Sequence, residues 1–157
     1  MDSRPIEGVV AMNRRGFLLC AGTGLAVLPR SAQAAPASRT VGVLMGLAND
    51  EETKARSAAI EQGLAKKGWI VGQNLRLEFR FANGEGARML SLARELSALQ
   101  PDVIIGHSTP VVTALHQVTQ TIPIVFVVVA DPIGSGFVRS IARPGGNITG
   151  FTVLQAT

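Results

Sequence analysis

The stretch Thr121–Val138, "TIPIVFVVVADPIGSGFV", decides how the chain is read. From Ile122 to Val129 the run is almost unbroken apolar. It stops at Asp131-Pro132, and glycines follow. A strand apolar on both faces belongs inside a sheet covered on both sides. An acid at its C-terminal end then lies on the edge where open α/β sheets bind ligands.

Upstream, "TVGVLMGL" (Thr40–Leu47) reads as a buried strand ending in a glycine turn. Asp50 caps the helix that follows, with Glu51 and Glu52 favourable in its first turn. Ala55, Ala59, Ile60 and Leu64 recur at helical spacing, and the helix stops at Gly68, with Lys66 and Lys67 in its last turn. "NLRLEFRFA" (Asn74–Ala82) alternates apolar and charged residues, as an edge strand with one solvated face does. A second helix spans Arg88–Leu99, with Met89, Leu92, Leu96 and Leu99 on one face and Pro101 beyond it. "DVIIG" (Asp102–Gly106) is a third strand. A third helix follows, with Thr109 read as N-cap and Pro110 as its first residue. After the fourth strand, Ile133–Ala142 reads as a short helix and "NITGFTV" (Asn147–Val153) as a fifth strand.

Strands and helices alternate, so the fold class is α/β. Right-handed crossovers favour a doubly wound parallel sheet of flavodoxin-like order 2-1-3-4-5. The loops after the first, third and fourth strands then share one rim. Ser108 and Thr109 bring hydroxyls, and the helix behind them brings free N–H groups that suit a carboxylate. Asp131 brings the opposite charge, so the rim suits a zwitterion such as an amino acid. The plainer alternative is that Ser108 and Thr109 cap a helix and Asp131 makes a turn with Pro132.

The N-terminus reads as an address. Arg14-Arg15 supply a positive segment, Gly16–Leu28 an apolar core of about 13 residues, and Ala32-Gln33-Ala34 a cleavage site that leaves Ala35 first. Residues 1–34 are therefore expected to be a signal peptide, with Met12 as the initiator; an extended leader and a buried N-terminal helix are the competing readings. Arg14, Arg15 and Phe17 fit a twin-arginine export signal. Cys20, the single cysteine, is preceded by Phe17-Leu18-Leu19, which lacks the small residue of a lipidation site, and it excludes an intrachain disulfide.

Of the net charge of +4, half comes from the leader, which holds four basic and two acidic residues. The body has no basic stripe and few aromatics, so nucleic acid is not the expected partner. His107 and His116 straddle a strand–helix junction and do not suggest a metal site. His107 and Ser108 are adjacent, which does not aim a base at a nucleophile. No nucleotide-binding glycine motif or G-x-S-x-G is present, and no cofactor is expected.

Five segments together resemble the ABC-transporter substrate-binding proteins of the TrpX-like family. They are "VGVLMG", "GLAKKGWIVGQNLRLEFRFANG", "LARELSALQPDVIIGHSTPVVTAL", "TIPIVFVVVADPIGSGFV" and "RPGGNITGFT", and the likeness runs over residues 36–155. The resemblance implies one lobe of a type I periplasmic binding protein, a non-enzymatic component that holds a small solute in an interlobe cleft for an ABC permease. It places ligand contacts on the loop with Leu47 and Asn49, on Ser108 and Thr109, and on Ala130 and Asp131. Residues 35–157 are then an N-terminal lobe that stops before the second lobe, so one wall of the cleft is present. A ligand-sensing domain and an enzyme on a flavodoxin-like sheet remain the alternative functions.

Overall fold

The computed structural model describes residues 38–152. Strands β1 (Arg39–Met45), β2 (Leu75–Phe81), β3 (Val103–His107), β4 (Ile124–Val129) and β5 (Ile148–Thr152) form one sheet. Helices α1 (Glu51–Ala65), α2 (Gly86–Ala98) and α3 (Thr109–Val118) link the first four strands. Every pairing is parallel, and the order is β2-β1-β3-β4-β5. The expected α/β doubly wound sheet of order 2-1-3-4-5 is the one found.

The two faces of the sheet are unequally covered. On one, α2 and α3 bury Leu44, Ile104, Ile124, Phe126 and Ile148 with Leu96, Val111 and Leu115. Glycines allow this approach: a Cβ on Gly106 would stand 3.0 Å from Leu115 Cδ1, and one on Gly42 3.3 Å from Leu96 Cδ2. On the other face Val41, Val43, Met45 and Leu75 pack against Ile60 and Leu64 of α1. That helix meets the sheet through Ile60 and Leu64, and Thr53 and Ser57 continue its less exposed stripe, while Ala55 and Ala59 are exposed. Beyond α1 the face is open: Val125 and Val127 are half-buried and Phe151 is 74% exposed. The β4 run is thus covered on one side only among the described residues.

Local chemistry sets the other boundaries. Helix α1 ends in paired bonds from Trp69 N–H to the Leu64 carbonyl and from Gly68 N–H to the Ala65 carbonyl, with Gly68 at φ +86°. This is a left-handed stop that glycine accepts most readily. The charged side of β2 is not simply solvated: Arg80 Nε lies 2.7 Å from Glu95 Oε1 on α2, and Glu78 is held by Arg76 and Arg80. Leu99, expected on the inner face of α2, is exposed; Ala93 and Leu96 are fully buried there. The expected helix over Ile133–Ala142 is absent. Asp131 Oδ1 accepts from Gly134 N–H at 2.7 Å, and the Pro132 carbonyl from Phe137 and Val138 N–H, so turns replace it. Phe137 and Val138 are buried in the α2–α3 layer.

Two asparagines fix strand starts at the edge where the strands begin. Asn74 accepts from Ile70 N–H at 2.7 Å and donates to the Gly68 carbonyl at 2.9 Å, which shapes the turn before β2. Asn147 Nδ2 donates to the Ile122 carbonyl at 2.8 Å, tying the start of β5 to the start of β4.

Strand β5 must carry a glycine at its centre. A Cβ on Gly150 would fall on the Phe126 carbonyl oxygen and 2.7 Å from its amide nitrogen. Gly150→Ala should therefore lower stability by about 2 kcal/mol or more, since backbone cannot give way as a side chain does. Gly63→Ala, in α1 with nothing within 4 Å, should raise it by about 0.5–1 kcal/mol. Urea unfolding of both variants checks this, and equal effects at the two positions would refute the β4–β5 register.

Candidate functional site

Because β1, β3 and β4 are neighbours and parallel, their C-terminal ends form one rim. The loops there are joined to one another. A Cβ on Gly46, just past β1, would stand 3.0 Å from Ser108 Oγ, so the turn after β3 lies against the turn after β1. Ser108 N–H donates to the Val127 carbonyl at 3.0 Å, which joins the same turn to β4. The first loop is braced from its other side by Gly84 N–H to the Gly46 carbonyl (2.7 Å) and Asn83 N–H to the Leu47 carbonyl (3.2 Å). Leu47 is half-buried and Asn49 exposed.

Helix α3 starts one residue earlier than the sequence suggested. Thr109 is its first residue and Ser108 occupies the cap position, but no side chain there bonds to the helix N-terminus. Ser108 holds φ +87°, ψ 154°, a backbone region unusual for any residue but glycine. Its carbonyl takes Val112 N–H at 3.1 Å, while Thr109 and Val111 N–H have no partner among the described residues. Two hydroxyls and two free N–H groups at the positive end of a helix are donors of the kind an oxygen anion accepts from.

The loop after β4 is re-aimed by a bulge. Phe126 pairs with Gly150 and Val129 with Thr152, so β4 carries one residue more than β5 over that interval. Val128 absorbs it at φ +58° and is exposed. The bulge returns Val129 to the buried layer, and Ala130 and Asp131 follow, exposed. Asp131 does make the turn that the plainer reading gave it. One carboxylate oxygen bonds Gly134 N–H, and the second has no hydrogen-bond partner among the described residues.

Leu47, Asn49, Ser108, Thr109, Ala130 and Asp131 thus lie on three linked loops of one edge. Arg14, Arg15, Phe17, Ala34 and Ala35 lie outside the described residues. Two residues were missed. Val128 sits in a uniform valine run that carries no mark of a bulge. His107 was weighed for catalysis and metal binding, and its burial was not foreseen. It is 8% exposed, and neither ring nitrogen has a partner among the described residues. Burial, and then the positive charge of Arg56, hold its imidazole below the usual range.

Two clefts lie at the opposite edge. One of about 320 Å³ is bordered by His116, Arg139 and Asn147. The other, of about 380 Å³, is bordered by Leu64, Trp69 and Val103. Neither includes a rim residue. No group of three or more His, Cys, Asp or Glu side chains is placed to hold a metal among the described residues. No helix there is long and apolar enough to cross a membrane.

A single wall of parallel-strand ends, with unspent donors on one loop and an acid on the next, is the form of a ligand-binding lobe. The chain belongs to the ABC transporter substrate binding protein family, whose model matches residues 40–156. It is similar to the tyrosine-binding protein of Clostridioides difficile (strain R20291), with 30% identity over 112 residues, 71% of this chain and 32% of that protein. A solved structure from Streptococcus pneumonia, an ABC domain in complex with L-Trp, superposes with a TM-score of 0.67 at 27% identity. It covers 74% of this chain and 39% of that one. A conserved domain protein from Vibrio cholerae O1 biovar eltor gives 0.69 at 35% identity, with coverage of 74% and 39%. The chain therefore spans 32–39% of the length of these relatives. The family is one of binding proteins rather than enzymes.

The rim's first helix offers a pH test. Asp50 Oδ1 accepts from Thr53 N–H at 2.9 Å, and this bond holds the carboxyl below its usual value of 3.8. A depressed folded-state value means the cap stabilises above 3.8 and is lost as pH falls through the lower folded value. Asp50→Ala should therefore melt below wild type at neutral pH, and the gap should close in strong acid. A gap that is constant with pH would assign the loss to helix propensity instead.

Proposed function

We propose that this chain is the solute-recognising first lobe of a substrate-binding protein that delivers an amino acid, or a similar small organic solute, to an ABC permease in the inner membrane. The observation that carries this reading is the open start of α3, with the Ser108 and Thr109 hydroxyls and unpartnered N–H groups, on the same strand-end edge as Asp131, one of whose carboxylate oxygens is unspent. A helix N-terminus favours the α-carboxylate, and an aspartate oxygen the α-ammonium. The tyrosine-binding and L-Trp-bound relatives support an aromatic amino acid as the solute. Leu47, Asn49 and Ala130 would line the same wall. A second lobe would close over the solute by hinge motion, so this lobe alone should bind weakly.

Titration of the isotope-labelled chain with L-tryptophan and L-tyrosine, followed by NMR, reads such weak binding. Shifts should centre on residues 47–50, 108–111 and 130–134. Asp131→Asn keeps an oxygen for Gly134 but loses the charge, and should weaken amino-acid binding roughly ten- to hundredfold, the worth of one charge-assisted hydrogen bond. Thr109→Val should weaken tryptophan more than its neutral carboxamide. Shifts elsewhere, or no discrimination by either variant, would count against the rim.

The leader reading over residues 1–34 supports export to the periplasm through the twin-arginine route. The exported species should begin at Ala35, as read by intact mass, and Arg14→Lys with Arg15→Lys should abolish its appearance. Continued export of the double variant would assign the general secretory route.

A further inference from the structure

His107 ends β3 on the face that α1 covers, the face of Val103 and Ile105 two and four residues before it. Across the sheet its register partners are Met45 on β1 and Val127 on β4, neither of which offers a hydrogen bond from its side chain. Both ring nitrogens are shut off from solvent and unpartnered among the described residues. Helix α1 follows the neighbouring end of β1 on the same face; its one fully buried residue is Thr53, and Arg56 in its first turns is the charge felt by the ring. Ser57, a turn on, spends its hydroxyl on the Thr53 carbonyl at 2.9 Å.

Among the described residues no carboxylate stands ready to receive a protonated ring. Glu52 on α1 pairs with Arg56 at 2.5 Å, Asp50 bonds Thr53 N–H, and Asp131 uses one oxygen on its own turn. Among the described residues the one charge that acts on the ring is Arg56, which is of the same sign as an imidazolium. A buried cation with a like charge nearby and no counter-charge is not stable. To take a proton the ring must reach water, and that means lifting the first turns of α1 or freeing the end of β3. Those two segments carry the loops at Leu47–Asp50 and Ser108–Thr109.

We propose that His107 is an acid-sensitive strut beneath the binding rim: uncharged, it seats the start of α1 on the end of β3, and protonated, it unseats both and loosens the grip on solute. The solute part rests on the function proposed above. The sign follows from burial. The folded-state value is depressed below 6.5, so the stabilisation is present above 6.5 and is lost as pH falls through the lower folded value. The strut is a positioning residue, since its nitrogens are too buried to touch a ligand.

The test compares the full chain with His107→Gln, which keeps polarity without charge, and His107→Leu, which fills the space with an apolar group. Urea unfolding and amide exchange are measured at pH 7.5 and 5 without solute. The unfolding constant of wild type should rise several-fold more on acidification than that of either variant. Exchange should quicken in wild type at residues 53–57 and 107–109 before it does elsewhere. Equal pH dependence in wild type and the variants would overturn the proposal. If His107→Gln does not fold, His107→Leu carries the comparison. NMR titration of the wild-type ring is an independent check, and a ring that titrates at or above 6.5 would overturn the strut. L-tryptophan affinity at the two pH values tests the coupling. A loss in acid that His107→Leu abolishes supports it, and an equal loss in both refutes it. Absence of binding at both pH values refutes the solute reading, while the solute-free arms still decide the strut.

Discussion

At Gly106 a Cβ would stand 3.0 Å from Leu115 Cδ1 and 3.1 Å from Val112 Cγ2, so α3 rests against the backbone of β3. That contact sets the angle at which the chain leaves the strand. With α3 drawn in so close, the turn between Gly106 and Thr109 has little length, and Ser108 closes it at φ +87°. A serine in that region is strained by an amount of order 1–3 kcal/mol, and it persists because its surroundings determine it. Gly46 leaves room for its hydroxyl, and the Val127 carbonyl takes its N–H. The same turn exposes the start of α3 and ties the end of β3 to those of β1 and β4. The site is thus a consequence of how closely one helix lies on one strand.

The motif residues divide by edge. Asn74 and Asn147 lie where strands begin and spend their amides on backbone groups of neighbouring turns. Gly145, at φ +80°, passes beneath the Arg139 stem, which would lie 3.0 Å from any Cβ there. These positions set where strands start and therefore their register. The rim positions do the reverse: Ser108, Thr109 and Asp131 keep donor or acceptor capacity unspent. A residue type that is common to a family can serve either purpose, and the hydrogen-bond inventory separates the two.

The sheet order and the rim were legible because they rest on patterns that are local in sequence. Alternating strand and helix periods leave few topologies once right-handed crossovers are required. The misreadings occurred where local pattern was degenerate. Ile133, Phe137, Val138 and Ile141 recur at helical spacing, yet Asp131 closes on Gly134 and Gly136 takes φ +75°, so turns win. In α1 the alanines fit several orientations equally, and contact with the sheet selected Ile60 and Leu64. Three valines in a row give no hint which one will bulge. The burial of His107 depends on where α1 lands, which no feature within the "GHSTP" segment encodes.

The open half of the α1 face has a physical bearing on how this wall would function. Phe151, at 74% exposure, and the half-buried Val125 and Val127 form a row on β4 and β5 with no helix over it among the described residues. Covering one such phenylalanine is worth about 1.5–3 kcal/mol. Covering the whole row is therefore comparable to a sizeable part of the 5–15 kcal/mol that holds a typical domain together. A rim whose strain at Ser108 and Val128 is held in place by packing draws on that same stability. Tightening the open face would stiffen β4, and through the Val127–Ser108 bond it would stiffen the start of α3. The open face on the far side of the sheet from the α2–α3 core is thus joined to the rim through one backbone hydrogen bond, from Ser108, at φ +87°, to Val127, the residue before the bulge at Val128.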